Sequence, residues 1–213
     1  MKLFTIGHSN HSLQTFINLL YLHQVDAIAD VRSHPYSRYL PHFNQSSLKT
    51  ALPPSGIQYV FLGQQLGARA SDPNCYTAGK AVYEKIAATT EFSQGIQRVV
   101  QGSHRYTIAL MCAEKDPLTC HRAILVCQHL RQFDLDIAHI HKDGELETHT
   151  QLEERLLARH GFATSPSQQL SLFADASLTS SVSREESLIE AYRRQGDEIA
   201  YVEKFQENHE QVS

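Results

Sequence analysis

The stretch Tyr106–Arg122, YTIALMCAEKDPLTCHR, restricts the fold more than any other part of the chain. Its first half, Tyr106 to Met111, is a short apolar run bounded by polar residues, which reads as a buried strand. Asp116-Pro117 then breaks the chain, Thr119 can cap, and Leu118 to Leu130 carries apolar residues at helical spacing. Cys112, Glu114, Cys120, His121 and Arg122 therefore fall on a strand-to-helix loop and the first turn after it. In an open α/β sheet, ligands bind there, beyond the carboxyl ends of the strands. A helix start also offers unpaired backbone N–H groups and the positive end of the helix dipole.

The same pattern recurs along the chain. Leu3 to Ile6 reads as a strand closed by Gly7, and Ser12 can cap a helix whose Leu13, Phe16, Ile17 and Leu20 share one face. Val25 to Val31 is a second buried strand, so the chain opens with a βαβ unit. That unit brings His8, Ser9, Asp30, Arg32 and Ser33 to the sheet end that carries the central loop. His34 to Pro41 is loop, Ser46 to Leu52 a short helix stopped by Pro53-Pro54, and Ile57 to Leu62 a third strand. Gly63 to Asn74 reads as irregular, and Cys75 to Ala88 and Glu91 to Val100 read as helices. The helix after the central strand ends near Phe133. Asp136 to His141 is the last strand, Asp143-Gly144 a turn, and Thr148 to His160 the helix that completes a single α/β domain over residues 1–160. The expected architecture is a mostly parallel sheet flanked by helices.

From residue 161 to 213 a flexible, acidic tail is expected. Thr164 to Ser183 is rich in Ser, Thr, Gln and Ala, and Arg184 to Gln206 suits one exposed helix. Residues 1–150 hold 13 basic against 12 acidic side chains, while residues 151–213 hold 6 against 11, so the net charge of −4 sits in the tail. Met1-Lys2 leads directly into a strand, no apolar run approaches a membrane span, and four cysteines form no CxxC pair. A cytoplasmic protein without a membrane partner is expected. No acid occurs between Asp30 and Asp72, whereas Arg32, Arg38, Lys49 and Arg69 do, interleaved with Tyr36, Tyr39, Phe43, Tyr59 and Phe61. That composition suits a phosphate-bearing or stacked-base partner, DNA or a nucleotide, and equally an ordinary polar loop with core aromatics.

Several motifs together resemble a known family. TIGHSN at 5–10, DVRSHPYSR at 30–38, PHF at 41–43, GIQYVFLGQQLG at 56–67, LMCAE at 110–114, CHR at 120–122 and HIHKDGELETH at 139–149 are similar to the domain of unknown function 488. Ala68 stands where the family pattern has a second glycine. The resemblance covers about residues 3–150 and implies a compact α/β domain in which Asp30, Arg32, Arg38, Glu114, Cys120, His121 and Arg122 are grouped. It implies no reaction, and residues 161–213 lie outside it.

The chemistry leaves alternatives open. Cys120 beside His121 at a helix start suits a nucleophile, since dipole and imidazole both lower a thiol pKa, or an inert core cysteine. Phosphatase and deaminase spacings fail, and no metal is expected because Cys112, Cys120 and His121, although sterically able to share an ion, lack a recognised ligand spacing; the sequence leaves the cofactor unknown. His8, Ser9, Arg32, Ser33, Ser37, Arg38 and Arg122 suit an anion-binding wall, with Asp30 or Glu114 as the general acid or base. The competing account pairs these acids and arginines as a structural network. In the tail, Gln169, Leu170, Ser171, Leu172 and Phe173 spell QLSLF, which looks like the pentapeptide that binds the bacterial sliding clamp, or is a linker patch. Together these features favour a DNA-processing or repair-associated enzyme recruited by the clamp. A thiol or acid/base enzyme on a nucleotide-like anion and a non-catalytic nucleic-acid adaptor are the alternatives.

Overall fold

The structure, a computed structural model, describes residues 1–162 and 183–203. The strands are β1 (Lys2–Gly7), β2 (Ala27–Asp30), β3 (Gln58–Phe61), β4 (Tyr76–Thr77), β5 (Lys80–Ala81), β6 (Ile108–Cys112), β7 (Asp136–Ile140) and β8 (Leu146–Thr148). Six of them form one sheet in the order β3-β2-β6-β1-β7-β8, parallel throughout except for β8, which folds back on β7. Alternate side chains of the central strands feed opposite layers, as the two-residue period of a strand requires. Leu3, Ala27, Ala29, Ile108 and Leu110 enter one core, while Phe4, Ile6, Ile28, Ala109 and Met111 enter the other.

The helices α1 (Leu13–Leu22) and α2 (Gln45–Ala51) cover the second face. The first face is covered by α3 (Gly63–Leu66), α4 (Tyr83–Ala87), α5 (Thr90–Gly102), α6 (Gln128–Leu130), α7 (His149–Arg159) and α8 (Arg184–Ile199). Ser12 caps α1 by accepting the Thr15 N–H at 3.1 Å, and Phe16, Ile17, Leu19 and Leu20 form its buried stripe. Thr148 with Gln151 and Ser183 with Glu186 form capping boxes that start α7 and α8.

Four stretches depart from the sequence expectation. Gly63 to Leu66 is helical rather than irregular. Cys75 to Ala88 is not one helix: β4 and β5 make a hairpin through Ala78 (φ 50°) and Gly79 (φ 75°), and only Tyr83–Ala87 is helical. The expected helix over Leu118–Leu130 is broken into a 3-10 turn (Pro117–Thr119), an extended Cys120, and π-helical turns over Arg122–Cys127 that run into α6. Every residue of Arg122–Cys127 is buried, so tertiary packing rather than helix propensity shapes this segment. Finally, the helix from Arg184 ends at Ile199 and is not exposed: Leu188, Ala191 and Tyr192 lie in the core, about 1.5–3 kcal/mol of burial for each large side chain. The expectation of a tail set apart from residue 161 onward thus fails for 184–203. Beyond α8 the chain runs along the hairpin, with the Ala81 N–H donating to Tyr201 O at 2.8 Å and the Glu203 N–H to Gly79 O at 2.8 Å.

Candidate functional site

The parallel strands β1, β2 and β6 end side by side. His8 and Ser9 extend β1 by donating their backbone N–H groups to Cys112 O (2.8 Å) and Ala113 O (2.9 Å). This close approach needs Gly7, because a Cβ there would lie 1.8 Å from Glu114 O. The loop after β6 is turned by Asp116, whose Oδ1 accepts the Leu118 N–H at 3.0 Å, and the extended Cys120 then swings back toward Cys112.

The result is a compact cluster. One ligand-type atom from each of Cys112, Glu114, Cys120 and His121 lies within 4.8 Å of all the others. Cys120 Sγ lies 3.0 Å from Glu114 Oε2, and Cys112 Sγ lies 3.6 Å from His121 Nδ1. The other ring nitrogen of His121, Nε2, is 2.9 Å from Val31 O and donates its N–H there, which leaves Nδ1 facing the cysteines. Both thiols and the imidazole are buried, whereas Glu114 is exposed at the outer edge.

Arg122 lies beneath, with no exposed surface. It donates to Thr5 Oγ1 (3.3 Å), Glu114 O (2.7 Å) and Lys115 O (3.4 Å). Burial opposes ionisation of Cys120, yet the Cys112 thiol, Arg122 and His121 overcome it and hold its thiol well below the usual range. Burial, then the hydrogen bond with Cys120 and its charge, push the Cys112 thiol up. Desolvation, then Cys120, raises the Glu114 carboxyl.

The remaining expected site residues divide sharply. Asp30 has no exposed surface and accepts bonds from the Arg32 backbone N–H (3.1 Å), Nε (2.9 Å) and Nη2 (2.6 Å) and from the Tyr59 hydroxyl (2.7 Å). With its lone pairs thus occupied, the expected proton-transfer role of Asp30 gives way to an anchoring one. Arg32 reaches the cleft wall, but this pairing and a bond to Phe43 O (2.8 Å) already commit much of its fork. His8 stacks on Phe43 at 4.4 Å and accepts from Arg32 Nη1 at 3.2 Å; burial, then the Arg32 charge, lowers its pKa to about 4. Ser37 braces its loop, accepting the Leu40 N–H at 3.1 Å, and the Ser33 hydroxyl accepts the Arg69 N–H at 3.0 Å. Ser9, with φ 47°, and the exposed Arg38 do not line the cleft. Arg122 does not either, so the expected anion contact from it is replaced by a structural one.

Beside the cluster opens a cleft of about 560 Å³. Cys112, Glu114, Thr119 and His121 form one side, and Arg32, Ser33, His34 and Tyr36 another. Arg69, Tyr83 and the segment Ile199–Val202 close it. Arg69 lies over the Tyr201 ring at 4.2 Å. In the sequence Arg69 is one charge of a basic stretch, and nothing there marks Tyr201.

The profile of the family described as Domain of unknown function DUF488 matches residues 12–128, more than half of the chain. The chain belongs to this family. Searches of curated proteins and of solved structures return no match. The DUF488 match contains the four-residue cluster, Asp30, Arg32, Arg69 and Arg122. His8, Ser9 and the cleft wall at Ile199–Val202 lie outside it. Residues 169–173, with the clamp-like pentapeptide, lie outside the described residues. Among the described residues no helix is long and apolar enough to cross a membrane.

Proposed function

We propose that this DUF488 protein is an enzyme acting on a phosphate-bearing nucleotide unit, free or within a nucleic-acid strand, in DNA processing or repair. The observation that carries the reading is the stacking of Arg69 on Tyr201 in the cleft that Glu114 and His121 also line. A guanidinium held against a ring still presents N–H donors to phosphate, and exposed rings such as Tyr36 can stack a base. A cleft of about 560 Å³ suits a ligand of nucleotide size rather than a duplex. A strand would therefore enter by its end or with one nucleotide turned out of the stack. Glu114, exposed at the cleft with its pKa raised by desolvation and then Cys120, is the proton-transfer group.

The test compares a fluorescent single-stranded oligonucleotide with a mononucleotide. Arg69→Ala is expected to weaken oligonucleotide binding by about 10-fold and to reduce its salt dependence by one phosphate contact. Equal affinity for both ligands makes the protein a small-molecule enzyme, and binding without turnover makes it an adaptor. If the wild type binds neither, the reading fails.

Recruitment to DNA by the sliding clamp rests on Gln169–Phe173. A peptide spanning Ser165 to Ala176 is expected to bind a bacterial clamp at micromolar concentration. Replacing Leu172 and Phe173 together by alanine removes about 1.5–3 kcal/mol of burial each, enough to abolish binding of roughly −8 kcal/mol strength in a titration.

A further inference from the structure

We infer that Cys112, Cys120 and His121 form a zinc site, with Glu114 as its exchangeable fourth ligand facing the cleft. The donor set selects the metal: two thiolates and an imidazole suit Zn²⁺, and three such ligands plus one open position is a catalytic arrangement. Spacing agrees. Bonds of about 2.3 Å to sulfur and about 2.0 Å to nitrogen at a tetrahedral angle separate the two donors by roughly 3.6 Å. Cys112 Sγ and His121 Nδ1 are 3.6 Å apart. Every separation in the cluster is at most 4.8 Å, so no pair has to close by more than about 1.5 Å to reach tetrahedral spacing, roughly 3.8 Å for two thiolates.

The surroundings are those of a metal ligand set. His121 donates its Nε2–H to Val31 O at 2.9 Å, the outer hydrogen bond that fixes a ligating imidazole. Arg122 is a fully buried cation whose hydrogen bonds, among the described residues, go to a hydroxyl and two carbonyls and to no carboxylate. Two thiolates and Glu114 balance Arg122 and a divalent ion. The three inner donors are buried and Glu114 alone is exposed, so exchange with water or substrate happens on the cleft side. This inference rests on the donor geometry and goes beyond the nucleotide reading; either can fail without the other.

The test uses the full chain, stripped with a chelator under reducing conditions and titrated with Co²⁺ and then Zn²⁺. One equivalent of Co²⁺ is expected, with the intense visible bands of a tetrahedral site and a sulfur-to-cobalt charge-transfer band, both lost when Zn²⁺ displaces it. Cys112→Ser and Cys120→Ser each lower affinity on the order of 100-fold. Glu114→Gln keeps the charge-transfer band, shifts the visible bands and weakens affinity by about 10-fold. If the cysteine variants do not fold, the wild-type spectrum and Glu114→Gln decide. Absence of the charge-transfer band in the wild type overturns the assignment, as does a Cys112–Cys120 disulfide formed without bound metal.

Discussion

Two buried polar networks meet at Arg122, and they are built to opposite ends. On one side a hydrogen-bond chain crosses the first-face core: Arg122 Nε to Thr5 Oγ1 (3.3 Å), Thr5 to His139 Nδ1 (2.8 Å), His139 Nε2 to His149 Nδ1 (3.1 Å), His149 Nε2 to the Tyr192 hydroxyl (3.0 Å), and Tyr192 to Glu153 (3.2 Å). Donors and acceptors alternate in one direction when both histidines are neutral and Glu153 is ionised. Every member has a partner, and the chain welds β1, β7, α7 and α8 together. On the other side, Cys112, Cys120, His121 and Glu114 turn donor atoms toward one another and toward a cleft. A satisfied network serves the fold, whereas a convergent set of donor atoms at a cleft is arranged to bind.

The largest expected effect breaks both networks at once. Arg122→Ala removes a fully buried guanidinium and leaves the Thr5 hydroxyl and the Glu114 and Lys115 carbonyls without their donor. A loss of about 3–5 kcal/mol is expected in urea unfolding, and a wild-type midpoint would show that Arg122 is not structural.

Acid should separate the two networks. Burial, then the charge of Arg131, lowers the His149 pKa from 6.5 to about 4. The unfolded chain takes up this proton near 6.5, while the fold, which surrounds His149 with His139, Tyr192, Glu153 and Arg131, resists it. The contribution is complete above pH 6.5 and is lost as pH falls toward 4, about 3 kcal/mol in all. His139, held well below 6.5 by burial and then His149, adds in the same direction. Unfolding measured across that window in the wild type and in His149→Gln should show the slope flattened in the variant. An unchanged slope would mean that other groups cause the acid loss.

A smaller cut in the same chain is Tyr192→Phe. It deletes the hydroxyl joining His149 to Glu153 and should cost about 1–3 kcal/mol by thermal melting, with nucleotide binding per folded molecule unchanged. Altered binding would mean that α8 acts on the cleft rather than only on the fold.

The sheet was legible because its strands are apolar on both faces, so Leu3–Ile6 and Tyr106–Met111 announce themselves without knowledge of their neighbours. The cluster was located for the same reason, since strand ends carry the loops. What stayed hidden depends on long-range packing. Asp30 and Arg32 are two residues apart and either pair with each other or face a ligand; only burial by Phe43 and Tyr59 decides for pairing. Arg122 looked like an anion contact because nothing local shows that the segment beginning there is π-helical and buried on every side. Cys112 and Cys120 are eight residues apart, and their approach requires the turn at Asp116 and the extended backbone of Cys120. The packing of α8 was missed because Leu188, Ala191 and Tyr192 are sparse among charged neighbours.

Glu114→Gln is the smallest expected change in stability and the sharpest test of the contrast. Glu114 is exposed, its side chain meets the Cys120 thiol at 3.0 Å, and its backbone carbonyl, which holds Arg122, is untouched by the substitution. Gln has the same shape and still accepts a hydrogen bond. Surface changes of this kind shift stability by within about 0.5 kcal/mol. Glu153, by contrast, is buried and joins Tyr192 and Arg131 within the packed body. If Glu114 belongs to a working site, Glu114→Gln should leave the urea midpoint at the wild-type value while lowering turnover of a nucleotide substrate by about 100-fold or more, the usual scale for a lost acid/base group. Glu153→Gln should do the reverse, lowering the midpoint and sparing turnover per folded molecule. Should both variants lose stability alike, the cluster at the strand ends would be a second structural network, and the distinction between the two sides of Arg122 would disappear.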